Sequence, residues 1–335
     1  MKMKKLLAVV FCMILCVGCL AGCGGGGSDS GDTYVLKIAS DEPNDSASSQ
    51  AVEKFGEAIA EATDGQVTVE YMPDGAMGGD REILESVTMG NLEMGLFNVS
   101  MYATYDEDWN ILSLPYVFED QESKYAMLDG EFGAFLSDKA KESTGTEVLA
   151  YAEGTPMALS NNSHPIKTVD DVKGVKMRVV EADINLDLYD AWGGTAVPMA
   201  FTEVYTALQQ GTIDGVDTSP YWVSVAKFSE VAKYMTDTQH QECTMAIAIN
   251  SEFLASMPED LQQTVRDLAY EYCAVEQRQL MADSVATEIE NIKADGVEIY
   301  ELSDAEKQTF IDASRPVIEK YRDTISAELF EMLGL

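Results

Sequence analysis

Residues 173–220 read KGVKMRVVEADINLDLYDAWGGTAVPMAFTEVYTALQQGTIDGVDTSP, and how they are read decides the fold. Val175, Met177 and Val179 alternate with Lys176, Arg178 and Val180, the period-two pattern of a strand. Leu186, Leu188, Tyr189 and Trp192 follow at helical spacing, and Gly193-Gly194 ends that helix. Thr195 to Met199 predicts a second short strand. Phe201 to Gln210 predicts a second helix, closed by Gly211 where a left-handed C-terminal cap falls. Ile213 to Val216 begins a third strand. The order is βαβαβ. Ligands of open α/β sheets collect beyond the carboxyl ends of the strands. Arg178, near the end of the first strand, is therefore placed to hold a carboxylate or phosphate with its two-pronged guanidinium. A surface ion pair with Glu181 or Asp183 is the alternative that spacing alone leaves open.

The same order occurs earlier in the chain. Tyr34 to Ser40 predicts a strand, and Ala51, Val52, Phe55, Ala58, Ile59 and Ala62 form one helical stripe. Val67, Val69 and Tyr71 alternate. A helix carrying Ile83, Leu84 and Val87 stops at Gly90, and Leu92 to Phe97 forms a strand ending at Asn98. Gly90-Asn91-Leu92-Glu93 and Gly211-Thr212-Ile213-Asp214 occupy matching places, which predicts two similar α/β lobes with a cleft between them. Gln121 to Thr144 reads as mostly helical, Val148 to Tyr151 and Thr244 to Ile249 as strands, and Asn161 to Asp170 as a polar loop. From Pro258 a helical pattern continues to about Lys293, too long for one lobe, so a helix spanning both is expected. Ser303 to Glu306 is a capping box opening a last helix, with a break expected at Pro316. The lobes then comprise residues 34–153 plus 244–283 and residues 154–243 plus 284–335.

The N-terminus reads as an address. Lys2, Lys4 and Lys5 precede an apolar run from Leu6 to Leu20, too short for a membrane span, so residues 1–22 read as a signal peptide. Leu20-Ala21-Gly22-Cys23 resembles a bacterial lipobox, which implies cleavage before Cys23 and a diacylglyceryl group on its sulfur. Residues 24–32 (GGGGSDSGD) then form a flexible tether reaching roughly 15–18 Å. The expected location is extracytoplasmic, on a lipid anchor. The formal charge is −36, and taking away three leader lysines leaves −39, which excludes nucleic acid and anionic membrane surfaces as partners. Any anion site must therefore bring its own local cation. Cys243 and Cys273 remain outside the leader and lipobox; an extracytoplasmic disulfide between them is allowed, and their apolar surroundings favour buried free thiols over it.

Catalytic signals are thin. Ser224-Val225-Ala226-Lys227 fits S-x-x-K, but its companion motifs are absent and no nucleophile elbow occurs. His164 and His240 stand alone, and no cluster has metal-ligand spacing. The reading is a protein without enzymatic activity, cofactor or metal.

Several segments together carry a resemblance. They are Gly174-Val175-Lys176-Met177-Arg178-Val179, Pro198-Met199-Ala200-Phe201-Thr202-Glu203-Val204-Tyr205, Asp214-Gly215, Leu114-Pro115-Tyr116-Val117-Phe118, Gly78-Gly79-Asp80-Arg81-Glu82 and Ala226-Lys227-Phe228-Ser229-Glu230-Val231. In this order, from Tyr34 to about Tyr321, the chain resembles the DctP-type solute receptors of TRAP transporters. The resemblance implies a periplasmic-binding-protein-like clamshell that closes on an organic acid and delivers it to a membrane permease. It places the carboxylate clamp at Arg178, the ring packing on the ligand at Phe201 and a polar contact at Thr218. First-lobe contacts fall near Asp41, Asp80 and Asn98. Many relatives carry a second arginine where this chain reads Gly154-Thr155-Pro156-Met157. A monocarboxylate is therefore expected, with hydroxyls or an amine facing Asp41, Asp80, Asn98 or Glu181. Tyr221-Trp222 is a candidate wall of the cleft. A receptor feeding a sensor kinase is the alternative role.

Overall fold

The computed structural model describes residues 32–335. The signal peptide, Cys23 and nearly all of the tether lie outside the described residues.

Each predicted βαβαβ stretch forms a parallel core of three strands. In the first, β1 (Tyr34–Ala39) lies between β2 (Val67–Met72) and β3 (Met94–Asn98). Two antiparallel strands extend this sheet, β10 (Glu242–Asn250) beside β3 and β4 (Thr146–Pro156) beyond it. In the second, β6 (Lys176–Val179) lies between β7 (Thr195–Pro198) and β8 (Gly215–Thr218). Here β5 (Ala158–Asn161) runs antiparallel beside β8, followed by β9 (Tyr234–Asp237) and β11 (Glu298–Glu301). The two sheets thus repeat one plan: the first strand of each unit sits centrally and its next two strands flank it.

The apolar stripe read from the sequence is the buried face through Ala51, Val52, Phe55 and Ile59, while Ala58 is half-buried and Ala62, in the last turn, is exposed. Val52, Phe55 and Ile59 of the Ala47–Ala62 helix pack with Leu36, Ile38, Leu96, Ile247 and Val265. Met177, Leu188 and Trp192 pack with Phe310 and Val317 of the Asp304–Tyr321 helix. Gly193 and Gly211 close their helices at φ of 71° and 68°, as the sequence predicts.

Three connections cross between the sheets. Strand β4 passes through Met157 directly into β5, and β9 returns through residues 238–241 into β10. These two crossings are stitched together, because Met157 N–H donates to Gln241 O and Gln239 N–H donates to Met157 O, both at 2.9 Å. The third crossing is the long helix, continuous from Glu259 to Ala294 and about 54 Å long, with a π-helical stretch at Glu271–Glu276. Just after that stretch, fully buried Gln277 accepts Glu153 N–H at 2.8 Å and donates to Glu153 O at 2.8 Å, which fixes the helix to β4 near the crossing.

Three sequence expectations change. The helix at Asp304–Tyr321 runs through Pro316 unbroken, because Pro316 lies on the exposed face, where the carbonyl left without its N–H partner faces water. The polar loop from Asn161 begins inside a strand, since Asn161 ends β5 and is fully buried. The third strand of the second unit starts at Gly215, because Asp214 turns back to accept Lys176 N–H at 2.9 Å.

Beside the crossings, Lys124 of the Gln121–Leu128 helix is 1% exposed and bridges Glu153 and Glu242 at 2.8 Å each. Its two carboxylates hold its pKa above the usual lysine value despite burial. Replacing Lys124 with Met strands the buried Glu153 and the partly buried Glu242, so a loss of about 3–5 kcal/mol in urea-unfolding stability is expected. A variant within 1 kcal/mol of wild type would refute a structural role for this triad.

Candidate functional site

In each parallel unit the strand order reverses beside the central strand, which opens a crevice at the carboxyl ends of neighbouring strands. The two crevices face each other. From the first sheet come Asp41 and Glu42 just past β1, Asn98 at the end of β3, Asp80 at the start of the Asp80–Thr88 helix, and Cys243 and Met245 of β10. From the second come Arg178, Val180, Thr218, Phe201 and Trp222, with Met157 at the crossing. The space they enclose is about 30 Å³, room for one or two water molecules.

Arg178 is 3% exposed. Its Nε donates to Met199 O at 2.9 Å, a bond that fixes the plane of the fork. Among the described residues no carboxylate lies within ion-pair distance of its terminal nitrogens. The surface pairing with Glu181 or Asp183 is thereby not formed. Phe201 lies beneath the guanidinium, its ring centroid 5.9 Å from Cζ, and packs edge-on against Trp222 and Phe228. Burial pulls the Arg178 pKa below its usual value, against the pull of Asp41, Asp80, Asp217 and Glu181.

The acidic side of the cavity is buried. Asp41 and Glu42 are 5% and 2% exposed. Asp41 Oδ2, Glu42 Oε1 and Asp80 Oδ1 are buried without a hydrogen-bond partner. Burial, with the Asp80 and Glu42 charges added, pushes Asp41 well above the carboxylate range, while Arg178 opposes the shift. Burial also pushes Glu42 up to about 8 and Asp80 up to about 6, the latter held down by the Asn98 backbone N–H and Arg178. Asn98 caps the Val99–Thr104 turn, spending its Oδ1 on Ser100 N–H at 2.9 Å and Ser100 O–H at 2.7 Å. Its amide Nδ2 lies 3.8 Å from Cys243 Sγ.

Of the residues expected from sequence, Arg178, Phe201, Thr218, Asn98, Asp80 and Asp41 converge on the cavity. Glu181 does not line it. It stands half-exposed at the cleft mouth, its Oε1 3.9 Å from Arg81 Nε, while its backbone carbonyl accepts Arg81 Nη2 at 3.3 Å. Trp222 does form wall. Sequence reasoning missed Glu42 and Met157, although Glu42 is the next residue after Asp41 beyond a strand end. It also missed a polar group behind β8, where Asp217 Oδ2 accepts from Tyr189 O–H at 2.9 Å and lies 3.1 Å from His240 Nε2. Among the described residues no His, Cys, Asp and Glu group is arranged to hold a metal.

The lobes meet around this site. Tyr221 Oη of the second lobe accepts Ala47 N–H of the first at 2.7 Å, and a Cβ on Gly79 would come 3.3 Å from Ala200 Cβ.

A family model, the bacterial extracellular solute-binding proteins of family 7 (DctP), matches residues 38–324. The chain belongs to this family. A solute-binding protein of Chromohalobacter salexigens is 31% identical over 81% of this chain and 80% of its own. A TRAP periplasmic solute-binding protein of Roseobacter denitrificans, solved with bound β-D-glucuronate, superposes with a TM-score of 0.85 at 29% identity, covering 90% of this chain and 98% of that one. Another from Sulfurospirillum deleyianum, solved with succinate, gives 0.84 at 26% identity, covering 91% and 99%. The DctP family comprises extracytoplasmic receptors, and the two-lobed α/β clamshell implied by sequence is the fold of this receptor.

Cys243 and Cys273 are buried free thiols, as the sequence predicts. Burial pushes Cys273 up to about 12 and Cys243 above the ordinary thiol range. In protein lacking residues 1–31, iodoacetamide at pH 8 is expected to label neither thiol of the native fold and both after denaturation, read by mass. Rapid labelling of native protein at either position would contradict this burial.

Proposed function

We propose that this TRAP-type receptor captures a hydroxylated monocarboxylate, with the carboxylate on Arg178 and hydroxyls facing Asp41, Glu42, Asp80 and Asn98. The observation that carries the reading is a buried guanidinium whose Nε is spent on Met199 O while its terminal nitrogens have no side-chain partner within ion-pair distance among the described residues. Two parallel charge-assisted hydrogen bonds to one carboxylate suit that geometry. A second carboxylate finds no cation in the cavity, whose other charged groups are acidic. That contrast favours an acid like the glucuronate of the Roseobacter receptor over one like the succinate of the Sulfurospirillum receptor. Phe201 and Trp222 supply the apolar wall against which the ligand's carbon skeleton packs.

Capture proceeds by hinge closure. The enclosed space is too small for such an acid unless the lobes adjust, so entry requires them to part along the crossings at Met157 and residues 238–241, with the long helix flexing as the third. We take lobe I as residues 34–153 plus 244–283 and lobe II as residues 154–243 plus 284–335. Closure excludes water and strengthens the ion pair. The closed, liganded surface is then what the permease recognises. Leu20-Ala21-Gly22-Cys23 supports a lipid anchor at Cys23 that keeps the receptor at the membrane.

A thermal-shift panel of monocarboxylates, keto acids, amino acids and sugar acids is expected to single out hydroxylated acids, since a ligand of the native state raises the melting temperature. A flat panel refutes the reading. For the best ligand, Arg178→Ala is expected to weaken calorimetric binding by about 2–5 kcal/mol, upwards of about 30-fold. Retention within twofold would remove Arg178 as the clamp. In the producing cell, Cys23→Ser is expected to shift the protein from membrane to soluble fractions and abolish palmitate labelling. Labelling that persists would disprove the anchor at that residue.

A further inference from the structure

The cavity gathers more negative charge than its one cation can balance. Asp41 and Glu42 follow β1, Asp80 opens its helix, and all three carboxyl groups line the same space as Arg178. Each has one buried oxygen without a partner. A ligand carboxylate on Arg178 satisfies that cation and leaves the three side chains uncompensated. An ionised carboxylate stripped of water and left unpaired costs several kcal/mol. The usual relief is uptake of a proton.

Beyond the Asn98 backbone N–H, which stabilises the Asp80 carboxylate, and the hydroxyls at Glu42, the surroundings offer no second cation. Behind β8, Asp217 is a further carboxylate, engaged by Tyr189 and His240. At the cleft mouth, Arg81 faces Glu181. On the β10 side stands the Cys243 thiol, and Lys124 beyond it is spent on Glu153 and Glu242. From the Ala47–Ala62 helix, Glu42 meets hydroxyls, with Ser46 Oγ donating to its Oε2 at 3.0 Å. The phenols nearby are occupied, Tyr71 with Ser49 and Tyr221 with Ala47.

We propose that this receptor takes up protons as it captures its ligand, Glu42 and the Asp41–Asp80 pair closing on it as carboxylic acids. The inference rests on the reading that the ligand is an acid held by Arg178. A carboxylic acid both donates and accepts, and so does the hydroxyl it meets. An ammonium group would instead keep these side chains ionised and take up no proton. The upward displacement of all three groups by burial agrees with this assignment. In an open, hydrated cleft they titrate near the ordinary carboxylate range. The closed form therefore binds more protons from about pH 4.5 up to about pH 8, the Glu42 value. Within that window affinity falls as pH rises, by about tenfold per pH unit for each proton taken up.

The test uses D-glucuronate, D-galactonate and D-erythronate as probes, the tightest being titrated calorimetrically across the window in buffers of different ionisation heat. Uptake of about one proton or more at neutral pH, with Kd rising at least about tenfold over two pH units, is expected. Glu42→Gln is expected to remove about one proton of uptake and flatten the slope, whereas a merely structural Glu42 would lower the melting temperature and leave the slope intact. Binding without proton uptake, or a Glu42→Gln slope equal to wild type, overturns the proposal and leaves the organic-acid reading standing. Absence of binding by these probes and by the whole acid panel overturns both.

Discussion

A guanidinium held by its Nε on the Met199 carbonyl, with its outer face turned into a closed space, sets the requirements for the rest of this receptor. Arginine keeps its charge when buried, so the surroundings must supply either a partner or a route to one. The protein supplies a route. Phe201 fixes the fork from beneath, β6 fixes its origin, and the facing lobe presents carboxylates that attract the cation without any of them reaching ion-pair distance. On the proposed reading, a carboxylate from solution supplies the partner that the facing acids do not.

The repeated sheet plan explains why such different residues converge. In both units the switch in strand order opens the crevice beside the central strand, at β1 and β3 in one sheet and at β6 and β8 in the other. Asn98, Arg178 and Thr218 at or next to the ends of their strands, and Asp41 and Val180 just past theirs, line the cavity there. Charge has been divided between the repeats: acids follow the first unit's strands, and the arginine sits on the second. That division makes an empty closed cleft electrostatically mismatched.

Much of this was legible in the sequence because it depends on local pattern. Arg178, Thr218 and Asn98 lie at strand ends marked by alternation and glycine stops, and Gly193 and Gly211 sit where left-handed caps require them. Strands β5, β9 and β11 were not legible. Like β6, β7 and β8, each has four residues, but none sits in a βαβαβ repeat with a glycine stop to mark it, and each is defined by its neighbours in the sheet. Glu42 was hidden for a similar reason. Adjacent to a plausible site residue, it reads as solvated, and only the tertiary fold buries it against Ser46 and the opposite lobe. Glu181 failed in the reverse direction, since its nearness to Arg178 in sequence conceals a bond to Arg81 across the cleft mouth.

The strand exchange at the crossings reaches beyond ligand binding. Strand β10 is laid between β3 and β4 only after the whole second unit has been made, and β5 is laid beside β8 before most of that unit exists. No single cut in the chain therefore leaves two pieces that each own a complete sheet. A gene fragment ending after β4 would present β3 with a bare hydrogen-bonding edge, a surface prone to pairing with other chains. The architecture makes the two halves heritable only together. Substitution at strand ends is the simpler route to new specificities in this scaffold, because trading one lobe for another would need three joints made at once.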